Sequence, residues 1–574
     1  MRRILFSAFL FISFSANSQV LIKNINVVDV ERKKILAGYS VLVMDGKISS
    51  VDKDKMYKLP GSTTVIDGTG KYLVPGFTDA HVHFFQSGGI YARPDAIDLR
   101  KIRPYSEEIK WTHNNMEDLL RRYLSVGITS VIDVGASNNF LRQRDSFATK
   151  PWSPQIKMTG PLLTTYIPAP FKSLGDDSPF TEMLTEENTR KAVRDQLALH
   201  TDFIKIWYIV LDKDIEQGAK KNLPLVKAAI DEAHKNGKRV AVHATERITA
   251  QLSIEAGADF LVHSVDDELI SDSFVQLLKQ KKTVLCPTLV VAGNYGKVLG
   301  DYYHFTTDEL NIVNPETAGT IIDYPQPDTT QGRLYIATLN TEGGKKKQLH
   351  DDSVMAVNLK KLVDGGVTIA TGTDAGNTGT QHASSFFAEL EAMQKAGLTP
   401  WQLLEASTIN GAKAMGEENS WGSIAAGKKA NMLVLSKNPL DSIANWRSVE
   451  QVINNGTVQL PSAIVMNTPE QLVQQQLNAY NAHDLEAFLA PYADDVELYD
   501  FPAKLLSKGK DKMRPDYLFI TQTPGLYCHI QKRIVQGNMV IDHEEVTWKG
   551  GKPLHAIAIY VIEKGKIVKV YFRQ

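Results

Sequence analysis

The stretch Val74-Pro-Gly-Phe-Thr-Asp79-Ala-His81-Val-His83-Phe-Phe85 decides the fold of this chain. It is typical of a short, half-apolar strand that is entered through a Pro-Gly turn. Because successive side chains of a strand point to opposite faces, His81 and His83 share one face. Two imidazoles on one face form a metal clamp, but a single His-x-His motif also recurs by chance. The remainder of the chain decides between a clamp and two unrelated histidines.

Strand-like runs alternate with helical patterns after this stretch. Seven further runs lie at residues 131–134, 155–158, 203–207, 240–243, 260–263, 284–286 and 368–371. Helical patterns intervene at residues 116–126, 187–199, 223–236, 248–256 and 271–280. Eight such units predict an α/β fold, a (β/α)8 TIM barrel over residues 74–420, with its active site at the C-terminal ends of the strands. A doubly wound open sheet is the alternative fold.

Short strands on both sides of this region predict a second unit. They lie at residues 20–28, 40–44 and 47–51 before it, and at 422–424, 431–435 and 452–456 after it. We expect residues 19–73 and 421–460 to form one small β-sandwich that flanks the barrel.

One connection within the barrel region is unusually long. Residues 290–348 are rich in aromatic and polar side chains, and long loops in compact domains are usually lids or binding loops. We expect this segment to cover the active site; a surface decoration is the alternative.

The composition of the chain and the pattern of its first residues limit the expected partners and the expected cellular compartment. The 574 residues include 64 basic and 65 acidic side chains, so no positive field favours nucleic acid. Residues 1–18 combine two arginines, a short apolar run and a small-residue exit, which predicts a signal peptide and an exported protein, periplasmic or secreted. No cysteine follows the apolar run to suggest a lipid anchor, and no later segment is apolar for long enough to span a membrane. The two cysteines exclude a disulfide scaffold.

Polar residues stand at or just beyond the ends of several predicted strands. They are His81, His83, Lys205, His243, His263 and Asp374. Taken singly, a histidine in such a place is more often a satisfied core residue than a ligand. Six nitrogen and oxygen donors that converge on one barrel mouth are what a zinc-type site requires. The sequence therefore predicts a metal centre.

The chain from about Val20 to Val458 resembles the amidohydrolase superfamily, in particular its imidazolonepropionase-like and Xaa-Pro dipeptidase-like branches. The matching motifs are Pro75-Gly-Phe-Thr-Asp-Ala-His-Val-His83, Asp202-Phe-Ile-Lys-Ile206, Val242-His-Ala-Thr-Glu246, Leu261-Val-His-Ser264, Thr371-Gly-Thr-Asp374 and Gly422-Ser-Ile-Ala-Ala-Gly-Lys428. The resemblance implies two divalent metal ions. His81, His83 and Asp374 would hold one, His243 and His263 the other, and Lys205, carboxylated by CO2, would bridge both.

This ligand set implies hydrolysis of a C–N bond in an amide, peptide or cyclic amide. A hydroxide bridging the metals would attack, and Asp374 would move the proton to the leaving nitrogen. Zinc is the expected metal, although the donors also suit manganese or cobalt. A small-molecule or dipeptide-like compound is the expected substrate. Tyr208, His113 and His382 are candidates for substrate contact, with packing roles as the alternative.

Two other functions stay open. His243-Ala-Thr-Glu246 also fits a pattern of single-metal deaminases in the same superfamily, in which Glu246 would protonate the ring. A protein of another class would use the barrel as a scaffold and bind a small ligand without catalysis.

Residues 466–574 form a separate unit. Helical patterns at 469–478 and 484–492 precede five strand-like runs, which predicts an α+β domain. The segment Asn478-Ala-Tyr-Asn-Ala-His-Asp-Leu-Glu-Ala-Phe488 resembles the SnoaL-like, nuclear-transport-factor-like cone fold. Asp500, His529 and His543 are candidates to line its cone. Cone domains of this kind often pair, so a homo-oligomer is an expected arrangement; the fold also hosts enzymes and binding pockets.

Overall fold

The computed structural model describes residues 19–53, 55, 57–58, 60–324 and 329–573, so the predicted signal peptide lies outside the described residues. The first strands are β1 (Val20–Asp29), β2 (Lys34–Met44), β3 (Lys47–Lys53), β4 (Thr64–Asp67) and β5 (Tyr72–Pro75). Asp45 and Gly46 have positive φ angles and form the predicted hairpin turn between β2 and β3.

The described residues of the central region form nine strands and fourteen helices. The strands are β6 (Phe77–Val82), β7 (Ile128–Asp133), β8 (Gln155–Met158), β9 (Leu162–Thr164), β10 (Phe180–Glu182), β11 (Ile204–Trp207), β12 (Val240–His243), β13 (Phe260–Val262) and β14 (Val284–Cys286). The helices are α1 (Tyr105–Ser125), α2 (Asn138–Arg144), α3 (Glu186–Ala198), α4 (Ile215–Lys235), α5 (Arg247–Ala256), α6 (Asp272–Lys281), α7 (Leu289–Leu299), α8 (Thr307–Ile312), α9 (Pro315–Ile322), α10 (Thr330–Leu339), α11 (Glu342–Asp364), α12 (Ser385–Lys395), α13 (Pro400–Ala406) and α14 (Ile409–Met415).

These central strands form two parallel sheets, in the orders β6-β7-β8 and β10-β9-β11-β12-β13-β14. The predicted last strand, residues 368–371, is not a regular strand, but its backbone bonds to both sheets. Ala370 N donates to Leu285 O of β14, and Ala80 N of β6 donates to Thr371 O, each at 2.8 Å. The segment therefore lies between β14 and β6, and the carboxyl ends of the strands meet at one side.

The strands predicted as a β-sandwich are hydrogen bonded into one eight-stranded sheet. After the central region come β15 (Met432–Leu435), β16 (Val449–Asn454), β17 (Thr457–Gln459) and the short helix α15 (Pro461–Ile464). β15 pairs with β5, which joins the two ends of the chain segment. The bulged strand β1 pairs with β2 on one side and with β4 and then β5 on the other, so the pairing is continuous. Residues 422–424, predicted as a strand, form a bend and irregular backbone.

The long segment 290–348 differs from its prediction as a loop. It contains most of α7, all of α8, α9 and α10, and the start of α11. Thr306 and Glu309 form a capping box at α8, and the Asn314 side chain caps α9 with Pro315 in its first turn. The sequence therefore contains signals for the start of both helices. The prediction missed them because the aromatic and polar composition of the segment favoured a loop.

The C-terminal domain contains α16 (Pro469–Asn481), α17 (Leu485–Leu489), β18 (Tyr492–Asp500), β19 (Lys504–Lys508), α18 (Lys510–Asp516), β20 (Tyr527–Gln536), β21 (Met539–Thr547), β22 (Leu554–Glu563) and β23 (Lys566–Arg573). Its six strands form one sheet in the order β19-β18-β23-β22-β21-β20. Helix α16 packs on this sheet and also contacts α9, where Asn478 donates to the Pro315 carbonyl at 2.6 Å. This is the predicted α+β arrangement.

The described helices include none with the length and apolar character needed to cross a membrane.

Candidate metal centre

Three buried side chains meet at the end of β6. Nε2 of His81 lies 3.3 Å from Nε2 of His83. Oδ1 of Asp374 lies 3.1 Å from each of these nitrogens. The i, i+2 spacing of the two histidines along an extended backbone places both imidazoles on the same side. Asp374 reaches them from the segment that follows residues 368–371.

Hydrogen bonds to Nδ1 fix the orientation of the His83 and His263 rings. Nδ1 of His83 lies 2.9 Å from the Gly135 carbonyl, which can only accept, so Nδ1 carries the proton. The lone pair of Nε2 is thereby left on the side of Asp374. Nδ1 of His263 lies 2.7 Å from Oγ1 of Thr288. Contacts of this kind are usual for histidines that bind a metal through the other nitrogen.

The remaining predicted ligands lie around the same point. Lys205 and His243 come from the adjacent parallel strands β11 and β12. The His263 ring centroid is 4.3 Å from that of His243 and 4.9 Å from that of His81. Lys205, His243 and His263 line one small cavity together with Asp374. The structure therefore brings all six predicted ligands together.

The chemistry of these donors fits a divalent metal. Ligand atoms of His81, His263 and Asp374 lie within 4.8 Å of one another. Within the described residues, Oδ1 of Asp374 and Nδ1 of His81 are buried without a conventional hydrogen-bond partner. Burial lowers the pKa of His81 to about 4 and holds the pKa of His243 and His263 well below the usual range. Neutral imidazoles with an ionised carboxylate are the forms that bind zinc-type ions.

Lys205 is 1% exposed and has a strongly perturbed amine. Burial lowers its pKa to about 7, while the charge of Asp374 acts in the opposite direction. Burial alone would raise the pKa of Asp374, but His81 and His83 hold that pKa well below its usual range. A buried lysine is therefore available as a neutral amine beside an ionised carboxylate.

The backbone is strained where these ligands attach. His263 and Asp374 have φ angles of 81° and 61°, in the left-handed region that non-glycine residues rarely adopt. Gly372 is required by close approach, because a Cβ there would lie 2.5 Å from Cys286 Sγ and 2.6 Å from the His81 backbone nitrogen. Strain of this kind typically costs about 1–3 kcal/mol per residue and clusters at functional sites.

Two buried carboxylates that were not predicted as functional support the ligands. Asp79 accepts hydrogen bonds from Thr373 N at 3.0 Å and Thr373 Oγ1 at 2.8 Å. Asp133 accepts from Phe84 N and Gly135 N, each at 3.0 Å. Burial raises the pKa of both acids to about 7. In the sequence, each of these acids lies within an apolar strand, and this is the signal that could have identified it.

Arg93 is a further lining residue that the sequence reasoning missed. Its Nη1 donates to Oδ1 of Asn377 at 2.6 Å and to the Tyr295 hydroxyl at 2.9 Å, and its Nε and Nη2 pair with Asp95. Arg93 and Asn377 line the cavity with His83 and Asp374. Tyr295 belongs to α7, so the long segment predicted as a cover reaches the edge of the site.

The three predicted substrate contacts lie elsewhere. Nε2 of His382 donates to the Gln86 carbonyl at 2.9 Å, and its ring stacks on Phe84. The buried Tyr208 hydroxyl donates to the backbone of α4. His113 lies on α1 in contact with carboxylate and amide oxygens of other surface elements. None of the three is among the residues that line the described cavity, and their contacts are those of packing residues.

Glu246, the acid of the deaminase hypothesis, is the N-cap residue of α5. Its Oε2 accepts from Thr249 Oγ1 at 2.9 Å. Glu246 is not among the lining residues of the described cavity.

The cone of the C-terminal domain is lined by residues other than those predicted. Its cavity of about 440 Å³ has Glu544 and Tyr560 in its wall, but not Asp500, His529 or His543. His529 and His543 are exposed. The reason is the period of two along a strand, since Glu544 and its neighbour His543 point to opposite faces of β21.

The chain is similar to two known protein families. The model of the amidohydrolase family matches residues 72–458, and that of the SnoaL-like domain matches residues 473–570. An enamidase of Eubacterium barkeri is 25% identical over 264 residues, which are 43% of this chain and 57% of that protein. An imidazolonepropionase of Flavobacterium johnsoniae is 36% identical over 82 residues, 14% of this chain and 20% of that protein. The chain thus covers little more than half of the first relative and a fifth of the second.

Solved structures show the same fold. A Xaa-Pro dipeptidase with bound methionine is 21% identical with a TM-score of 0.57, and the match covers 77% of this chain and 100% of that one. Molinate hydrolase is 18% identical with a TM-score of 0.60, over 79% of this chain and 97% of that one. Since the first family match spans well over half of the 574 residues, the chain belongs to the amidohydrolase family, and a SnoaL-like domain follows at its C-terminal side.

Proposed function

We propose that this chain is an exported, binuclear metal-dependent hydrolase that cleaves a C–N bond in a small amide, peptide or cyclic amide. The convergence of His81, His83, Lys205, His243, His263 and Asp374 on one point carries the proposal. The pattern of residues 1–18 supports export to the periplasm or the medium.

The proposal includes closure of the two parallel sheets into a (β/α)8 barrel. Residues 368–371 bond to β14 on one side and to β6 on the other, as an eighth strand position would. A site at the carboxyl ends of the strands is where enzymes of this architecture place their catalytic groups.

Two divalent ions, with zinc as the first candidate, would supply a Lewis acid for the scissile carbonyl and lower the pKa of a water molecule. His81 and His83 with Asp374 would hold one ion, and His243 with His263 the other. Lys205 would bridge them after its neutral Nζ forms a bond to the carbon of CO2 and releases a proton to water. The resulting carbamate is an anion, which removes the repulsion between an ammonium group and two metal ions.

The chain's own groups would divide the remaining work. Asp374 is placed to accept the proton of the attacking water and to return it to the leaving nitrogen. Arg93, whose charge is balanced by Asp95, lines the cavity with Asn377 and would donate a hydrogen bond to a carbonyl or carboxylate oxygen of the substrate. Phe180 and Trp207, whose ring centroids lie 5.0 Å apart, contribute an apolar part of the cavity wall. These features favour a compact substrate with an acidic or carbonyl group near the scissile bond.

Metal analysis and a turnover panel test the proposal. Purified protein reconstituted with Zn²⁺, Mn²⁺ or Co²⁺ is assayed against dipeptides, N-acyl amino acids and cyclic amides, with ammonia measured in parallel. We expect about two ions per chain and hydrolysis without ammonia release. Lys205→Ala should lose metal and activity, whereas Lys220→Ala, an exposed lysine on α4, should keep both. Full activity after exhaustive metal removal would overturn the proposal, and ammonia with one ion per chain would favour the deaminase.

A further inference from the structure

The cavity of the C-terminal domain has the size and shape of a small-molecule site. Its volume of about 440 Å³ lies between helix α16 and the six-stranded sheet. Known ligand sites occupy roughly 300–1,000 Å³ and have mostly apolar walls with few polar groups. Besides Tyr560, the aromatic side chains in this wall are Tyr480, Phe488, Tyr492, Tyr517, Phe519 and Phe572. The proposed hydrolase reaction uses none of these residues.

One buried carboxylate faces this aromatic enclosure. Glu544 on β21 is 9% exposed, and its Oε1 accepts a hydrogen bond from the Tyr560 hydroxyl at 3.0 Å. Gln476 Nε2 donates to the same hydroxyl at 3.2 Å, and the Tyr492 hydroxyl donates to Gln476 Oε1 at 3.4 Å. This chain of bonds directs the Tyr560 proton to Glu544. Among the described residues, no hydrogen-bond donor is recorded for the second carboxylate oxygen, Oε2.

The cavity has no positive charge to balance this carboxylate. Its described lining includes Glu544 and, at the exposed rim, Asp516, but no lysine, arginine or histidine. Arg533 is the nearby cation on the neighbouring strand, and its Nε and Nη2 are both bonded to Asp542 at 2.7 Å. A buried carboxylate without a cationic partner is unfavourable unless it becomes protonated or meets a cation from outside.

We propose that this cavity binds a small organic amine whose protonated nitrogen pairs with Glu544 and whose apolar part lies against the aromatic walls. An ammonium group gains both the carboxylate and the faces of the surrounding rings, and each cation–ring contact contributes about 0.5–2 kcal/mol. An anionic ligand of the same shape would meet two carboxylates. A neutral alcohol would gain only an ordinary hydrogen bond.

Calorimetric titration of the full-length, metal-loaded protein tests the proposal. The probes are 2-phenylethylamine and tryptamine, with 2-phenylethanol and 3-phenylpropionate as a neutral and an anionic compound of similar shape. We expect both amines to bind at least tenfold more tightly than the alcohol, and the carboxylate to show no binding. Equal affinity for amine and alcohol, or no binding of either amine at millimolar concentration, would overturn the proposal.

Two substitutions separate the charge from the fold. Glu544→Gln should weaken amine binding at least tenfold and leave alcohol binding unchanged. Glu545→Gln is the matched control, because Glu545 points to the other face of β21, where Gln531 donates to it, and it should bind amine like the wild type. An unchanged amine affinity in Glu544→Gln would contradict the assignment.

A third variant covers the case in which Glu544→Gln fails to fold. Phe519→Leu removes one ring from the partly exposed rim, where Phe519 is 41% exposed, so folding should be retained. We expect its amine affinity to fall several-fold through the lost cation–ring contact. Unchanged amine affinity in this variant would count against the proposed pocket.

Discussion

Asp79 binds Thr373 through two hydrogen bonds, from the backbone nitrogen at 3.0 Å and from Oγ1 at 2.8 Å. The first residue belongs to β6 and the second precedes Asp374, so the pair ties the two ends of the central region together. A second bond reinforces it, since Asp374 N donates to the His81 carbonyl at 2.7 Å. Backbone contacts around the His81 and Asp374 side chains therefore constrain the distance between them.

Replacing Asp79 by asparagine should loosen the metal centre without unfolding the chain. The amide keeps one acceptor for the Thr373 nitrogen, but its Nδ2 can only donate to Thr373 Oγ1, so the hydroxyl must turn from donor to acceptor and two hydrogen bonds to a carboxylate become bonds to a neutral amide. Loss of such supporting contacts typically lowers metal affinity or activity about 10–100-fold. Competition with a chromophoric chelator measures the affinity, and Asp67→Asn, an exposed acid on β4, is the control. Wild-type metal affinity in Asp79→Asn would contradict the supporting role.

Asp374→Asn should separate metal binding from proton transfer. Asparagine retains an oxygen donor beside His81 and His83 but cannot carry the proton of the attacking water. Loss of a positioned general base typically lowers the rate about 10²–10⁴-fold. We expect hydrolysis to fall by this amount while at least one ion per chain remains in metal analysis. Asp364→Asn at the exposed end of α11 is the control, and full activity in Asp374→Asn would exclude the assigned role.

The order of strands and helices and the clustering of the six candidate ligand residues were largely predictable, because both follow from short local sequence patterns. Each ligand follows an apolar run, and parallel strands bring the ends of such runs to one side. The resemblance to the amidohydrolase superfamily also predicted which of the separate motifs belong to one site. The family itself is confirmed by the match over residues 72–458. The segment 290–348 was harder, because it is divided into short helices such as the six residues of α8, and the caps at Thr306 and Asn314 lie within a segment that is rich in aromatic and polar residues.

Residues whose role depends on distant partners could not be predicted. Arg93 becomes part of the site only because Tyr295 and Asn377, about two hundred residues or more away in the sequence, hold its guanidinium. Glu544 was missed because β21 carries two acids on its inward face, Asp542 and Glu544, while Ile541 and His543 face the other way. A prediction that turns the more apolar face of a strand towards the core would therefore place the wrong face of β21 inward.

Arg93→Lys should weaken substrate binding in the hydrolase. Lysine keeps the charge but loses the planar fork that Asn377 and Tyr295 position. For any substrate that the panel identifies, we expect KM to rise about tenfold, which corresponds to roughly 1.4 kcal/mol of binding, with a smaller change in kcat. Arg100→Lys is a matched control, because Arg100 forms a similar pair with Asp98 in an exposed position. An unchanged KM would remove Arg93 from the proposed binding site.

Amine binding in the C-terminal cavity should depend on pH through Glu544. Burial raises the pKa of this carboxyl to about 7. The ionisable groups around it are Arg533, Asp542, Cys528, Tyr480, Tyr492, Tyr517 and Tyr560, with Asp516 at the exposed rim. Arg533 is paired with Asp542, and burial also raises the pKa of the Cys528 thiol and of the four tyrosines, so Glu544 is the group expected to titrate near neutrality. Amine affinity should be nearly constant between about pH 8 and pH 9, where Glu544 is ionised and the amine is still protonated, and should fall towards tenfold per unit below pH 6, because the amine needs the ionised form of Glu544.

The raised pKa of Glu544 should also make stability depend on pH. Stability should fall as pH rises, whereas amine affinity should increase. A carboxyl whose pKa is raised on folding binds its proton more tightly in the folded state, so its contribution to stability is lost as pH rises from about 4.5 through 7. Wild type should therefore lose melting temperature relative to Glu544→Gln between pH 5 and pH 8, and 2-phenylethylamine should restore it at pH 8 in the wild type alone. Thermal melts of both proteins measure this difference. Parallel curves for the two proteins across this range would show that Glu544 is ionised throughout and would exclude the uncompensated buried carboxylate on which the amine site depends.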